Sequence, residues 1–161
     1  MRHADYRTGV ELTDDPLFAH RIRRLVVVSA VALGVITGLA VNVGAPTVSV
    51  VLIATGWVLM PVILAASLKR PTLRYTLVLP ASVVTVGLVG VLVSTEGAAM
   101  LGWALITAGI LLGGTLGMWF WYRLVPVPYA LSDPYGIPRI ALVALHIGLV
   151  LSGVVIVITS T

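Results

Sequence analysis

The stretch from Leu25 to Leu68, LVVVSAVALGVITGLAVNVGAPTVSVVLIATGWVLMPVILAASL, contains no charged side chain, and its reading decides the architecture. One helical crossing of a bilayer takes about 20 mostly apolar residues, so this run is long enough for two. It breaks at Asn42-Val43-Gly44-Ala45-Pro46. Asn and Gly suit a turn there, and Pro46, with no amide to lose, suits the first position of a new helix. Three more uncharged runs follow, Tyr75 to Thr95, Gly97 to Tyr122 and Ile140 to Thr161. The sequence therefore predicts an all-α polytopic membrane protein, a bundle of five transmembrane helices at about 22–43, 46–68, 73–95, 98–122 and 138–159. Together these make one membrane domain over 22–161, preceded by a cytoplasmic segment over 1–21.

The composition agrees with lipid as the main solvent. The chain has 161 residues, 59% hydrophobic and only 10% charged, whereas a soluble domain carries roughly 25% charged residues. A net charge of +4 raises the question of nucleic acid. That partner needs an accessible basic stripe, and here the basic residues flank apolar spans, so nucleic acid is not expected. The absence of cysteine excludes disulfides, thiolate metal sites and thiol catalysis. Nine Arg against one Lys suggests a GC-rich, prokaryotic source.

Short cytoplasmic loops hold the Lys and Arg of polytopic proteins. Arg2, Arg7, Arg21, Arg23 and Arg24 precede the first span, Lys69, Arg70 and Arg74 lie between the second and third, and Arg123 and Arg139 lie between the fourth and fifth. With five spans all ten fall on one side, which places the N-terminus in the cytoplasm and the C-terminus outside, in a cell membrane. The first 21 residues carry charges and lack the apolar core of a signal peptide, so they are expected to stay attached.

Two octets, DPLFAHRI at Asp15–Ile22 and DPYGIPRI at Asp133–Ile140, share Asp-Pro and, four residues later, Arg-Ile. Asp offers an acceptor to the free amides of a helix start, Pro occupies a position that needs no amide, and Arg reaches phosphates at the interface. Asp15, Arg21, Asp133 and Arg139 are thus expected at the cytoplasmic interface, as two uses of one capping solution rather than as a duplicated half.

Small residues at four-residue spacing let helix backbones approach closely in lipid. The first span carries Ala30, Gly34 and Gly38, the fourth carries Gly109, Gly113 and Gly117 with Gly102 on roughly the same face, and the fifth carries Ala144, Gly148 and Ser152. These ridges predict packing within the bundle or against another subunit. Trp119 to Tyr122 read as an aromatic belt on the cytoplasmic side, and Trp103 reads as its counterpart outside. Trp57 lies mid-span, one turn before Pro61, where its indole needs an acceptor such as a carbonyl freed by that proline. Pro61 and Pro80 read as kinks. The sharper alternative is a substrate cavity around Trp57, Pro61 and Pro80, as in a broken-helix transporter.

Ionisable groups inside membranes usually serve function, and the interior of the five spans holds no Asp, Glu, Lys or Arg. No carboxylate pair for acid–base chemistry and no metal-ligand cluster emerges, so neither catalytic nor metal-binding residues are assigned. His146, in the fifth span, is the exception. It either hydrogen-bonds another helix or ligates a haem or other tetrapyrrole, and it lies about 160° around the helix from the Ala144–Gly148 ridge at 3.6 residues per turn. The reading favoured by the sequence is a non-catalytic small integral membrane subunit or accessory protein of a larger membrane complex. It needs no cofactor, and its partners are the lipid bilayer with other membrane subunits or copies of itself. A small transporter or substrate-binding membrane component, and a haem- or pigment-binding protein using His146, are the alternatives.

Overall fold

The computed structural model describes residues 16–67, 69–70, 73, 76–117 and 136–161. Among these the chain is all-helical: α1 (Pro16–Asn42), α2 (Thr47–Ala66), α3 (Val78–Val93), α4 (Ala98–Gly109) and α5 (Gly136–Ser160), with α4 continuing directly into a π-helix, Ile110–Gly117. Three helical stretches, Thr47–Ala66, Ala98–Thr115 and Ile140–Ser160, are long and apolar enough to cross a membrane, while Val26–Asn42 and Val78–Val93 are shorter apolar helices.

The turns follow their residues. Gly44 has φ +69, and around it the amides of Gly44 and Ala45 donate to the carbonyls of Val41 and Ala40, both at 3.0 Å. A glycine in this left-handed conformation closes off a helix end and satisfies carbonyls that the helix leaves open. Gly97, with φ +71, turns the chain from α3 into α4. The first helix begins at Pro16, directly after Asp15 and earlier than the apolar run alone suggests. The third begins later than expected, at Val78, because Leu73, Thr76 and Leu77 adopt the tighter 3₁₀ geometry. Pro80 consequently lies in the first turn of α3, where a missing amide removes no helical hydrogen bond, so no kink is needed there. Pro61 does lie inside its helix.

Each helix packs mainly on its neighbours in sequence, and α1 and α5 touch only slightly. The α2–α3 pair is antiparallel: a Cβ on Gly87 would meet the Ser49 carbonyl at 2.8 Å, and one on Gly56 would meet the Pro80 carbonyl at 3.1 Å. The α4–α5 pair is antiparallel too, and closer. A Cβ on Gly102 would sit 2.8 Å from the Gly153 carbonyl, and one on Gly153 would sit 2.5 Å from the Gly102 carbonyl. Only glycine, with no Cβ, permits such approach.

One main core draws on all five helices: Leu33, Ile36 and Ala40 of α1, Ile53 of α2, Val84, Leu88 and Val91 of α3, Trp103 and Ile106 of α4, and Val157 of α5. It lies towards the end at which α1, α3 and α5 finish. At the other end Leu64 and Leu77 form a smaller cluster with Val26, Met60 and Ile63. Trp103 corrects the expectation of an outer belt. It is fully buried, because its face of α4, shared with Ala99, Gly102 and Ile106, turns towards the core.

Candidate functional site

The residues with chemical capacity converge where α4 becomes the π-helix. His146 Nδ1 lies 2.7 Å from the carbonyl oxygen of Gly109, the last α-helical residue of α4. A carbonyl only accepts, so Nδ1 carries the hydrogen and donates it. The ring lies over Gly113, where an added Cβ would overlap its atoms, and a Cβ on Gly109 would meet Leu149 Cβ and the His146 carbonyl at 3.1 Å. Gly109 at the end of α4 and Gly113 in the π-helix, about one turn apart, thus make the groove that holds one imidazole of α5. π-Helices are rare and concentrate at functional positions, and this one begins at the residue after the His146 acceptor.

On its other side the π segment meets α3. Thr85 donates to the Ala81 carbonyl at 2.8 Å, and its Oγ1 lies 3.1 Å from Thr115 Oγ1. With the Thr85 hydrogen already engaged, Thr115 is the donor between the two. Gly114 faces Ala81 Cβ at 3.6 Å. Most other hydroxyls in the spans, Thr37, Thr55, Ser82, Thr107 and Thr159 among them, donate to carbonyls of their own helix three or four residues back, as such residues commonly do. They do not line a shared polar path.

The remaining sequence candidates separate in space. On α1, Ala30 and Gly34 meet α2. Trp57 Nε1 donates to the Ala30 carbonyl at 2.6 Å, and a Cβ on Gly34 would touch the indole at 3.4 Å. The acceptor for Trp57 is therefore a carbonyl of α1, not one freed by Pro61. Gly38 is exposed, with nothing within 4 Å of an added Cβ. Pro80 is buried against Gly56, on the α3 side of α2, whereas Trp57 faces α1; Pro61 is half-buried. Trp57 and Pro80 do not meet around one cavity.

Gly102 and Gly109 of α4 and Gly113 of the π-helix all face α5. On α5 the face in contact is that of His146, Leu149, Val150, Gly153 and Val157. Ala144, Gly148 and Ser152 are exposed instead, and nothing lies within 4 Å of a Cβ on Gly148. Asp15, Asp133 and the belt at Trp119–Tyr122 lie outside the described residues, as do the side chains of Arg21 and Arg139 and the surroundings of Gly117.

Sequence reasoning missed three positions of the tight α2–α3 crossing, Gly56, Gly87 and Gly90; on α5 it placed Gly153 with His146 and Leu149 on a second contact face but left it out of the small-residue ridge. Their signal was the mixed three- and four-residue spacing that a helix face produces. It also missed the indole of Trp103, whose Nε1 is buried without a hydrogen-bond acceptor among the described residues. Among the described residues no group of three or more His, Asp or Glu could hold a metal ion. No protein-family model, curated protein or solved structure matches this chain.

Proposed function

We propose that the chain is a five-span integral protein of a prokaryotic cell membrane, with its N-terminus in the cytoplasm and its C-terminus outside. In this reading it serves as a non-catalytic subunit or accessory protein of a larger membrane complex. The two shorter apolar helices complete the count of five when they cross together with their flanking turns or where the bilayer thins around them. The five-span topology also keeps all ten basic residues on one side.

The observation that carries the subunit reading is the outward face of α5. Ala144, Gly148 and Ser152 recur at four-residue spacing on an exposed surface, with open space around Gly148. A small-residue ridge is the surface on which a second membrane helix packs most closely. This one has no neighbour among the described residues.

Purification in mild detergent from the native membrane, with mass spectrometry of the copurifying chains, tests the reading. Defined integral membrane partners are expected at fixed stoichiometry. Gly148→Leu is expected to release them while leaving the thermal midpoint of the chain itself unchanged. Recovery of the chain alone, with a substrate-dependent rise in its midpoint, would replace the subunit reading with a transporter.

A further inference from the structure

We propose that the outward face of the α1–α2 pair binds an anionic phospholipid, its phosphate among Arg23, Arg24, Lys69 and Arg70 and its acyl chains along two exposed valine stripes. The site rests on the membrane location proposed above and not on the subunit reading. Its charge begins in the sequence. Between Asp15 and Glu96 the chain has no acidic residue, but it has Arg21, Arg23, Arg24, Lys69, Arg70 and Arg74.

The fold gathers four of these six at one end. α1 and α2 run antiparallel, joined through the turn at Gly44 and tied by the hydrogen bond from Trp57 to Ala30. The start of α1 therefore meets the end of α2, where Val26 packs with Leu64 and Leu77. Arg23 and Arg24 lie about 3–5 Å along the axis from Val26, at 1.5 Å per residue. Beyond Leu64, the amides of Lys69 and Arg70 both donate to the Ala66 carbonyl at 3.1 Å, which holds their turn close to the same end. All four cationic residues are exposed.

Each pair of cations leads into an apolar stripe. Val28, Val31 and Val35 follow Arg24 at the spacing of one helical face, and all three are exposed. On α2 the exposed Val58, Val62 and Ala65 repeat that spacing and lead to the turn of Lys69. In the seam between the two helices the exposed indole of Trp57 lies against Gly34. Charge complementarity selects the occupant. Clustered Lys and Arg at a membrane surface attract anionic headgroups, and stripes without polar side chains suit acyl chains. An anionic phospholipid brings both in one molecule. A free phosphate leaves the stripes unused, and a zwitterionic phospholipid brings no net charge to the cations.

The full chain, purified in a neutral detergent, is titrated with phosphatidylglycerol or phosphatidylcholine of identical chains, and bound lipid is counted by native mass spectrometry. Retention of phosphatidylglycerol at a concentration about tenfold lower is expected. Arg23→Gln with Arg24→Gln, and Lys69→Gln with Arg70→Gln, are each expected to weaken its binding by roughly tenfold to thirtyfold. Arg123→Gln with Arg139→Gln removes the same charge elsewhere and is expected to leave it unchanged. Equal retention of the two lipids would overturn the proposal, as would an equal loss in the Arg123 and Arg139 variant. Competition by glycerol phosphate as strong as by the lipid would reduce the site to a phosphate site and overturn it too. Release of a copurifying chain by the Gln variants, with no lipid preference, would assign the face to a protein partner instead. If the Gln variants do not fold, the wild-type chain decides through the part of its fluorescence that Trp57→Phe removes. Phosphatidylglycerol brominated along its chains is expected to quench that part more than equally brominated phosphatidylcholine, and equal quenching overturns the assignment.

Discussion

Two tryptophans of this chain differ in what their indole nitrogen finds. Trp57 Nε1 donates to the Ala30 carbonyl at 2.6 Å and ties α2 to α1. Trp103 Nε1 is buried with no acceptor among the described residues. A hydrogen bond is worth about 1 kcal/mol net, whereas a buried unmade one costs about 1–3 kcal/mol. Replacing each in turn by β-(3-benzothienyl)alanine, which has the shape of tryptophan and no N–H, is therefore expected to act in opposite directions. At Trp57 the detergent unfolding free energy should fall by about 1 kcal/mol, and at Trp103 it should rise. The need of Trp57 for an acceptor was legible in the sequence. Its identity was not, because the Ala30 carbonyl comes within reach only through the crossing of two helices. Trp103 misled for a related reason: position along a span suggests a belt, but the helical face decides burial.

The α4–α5 crossing shows how spacing and direction separate at the level of elements. Gly102 and Gly153 bring carbonyl oxygens to where side chains would start, so alanine at either position forces the helices apart. Overpacking of this kind costs about 1–3 kcal/mol, and Gly102→Ala and Gly153→Ala are each expected to lower the thermal midpoint. Gly148→Ala meets only open space and should leave the isolated chain unchanged. Gly102, Gly109 and Gly113 were legible by their spacing, and all three meet α5. Spacing alone did not reveal that α5 would use its Gly153 face and turn Ala144, Gly148 and Ser152 outward, since a helix can carry two small-residue faces. Nor does ILLGGTLG, Ile110–Gly117, announce a π-helix. Its widened turns accompany contacts from both sides, His146 at the junction and Thr85 at Thr115, and those partners are remote in sequence.

For the whole molecule, helix number and order followed from hydropathy and turn residues, because lipid demands long apolar runs and glycine and proline punctuate them. The arrangement of the helices depended on glycine contacts that only three dimensions reveal. Sidedness has a direct test, since the chain lacks cysteine and single-cysteine variants report without background. Glu96→Cys and Thr161→Cys are expected to react with a membrane-impermeant maleimide on intact cells, and Lys69→Cys only after permeabilisation. The reverse pattern would invert the topology. Contact between α1 and α5 is slight, so among the described residues most of the packing is between helices adjacent in sequence. Each helix emerging from the ribosome can then dock at once on the one made just before it, with little loop-closure entropy to overcome. Assembly can keep pace with synthesis, and the last helix, through Val157, closes the core that the first began with Leu33, Ile36 and Ala40.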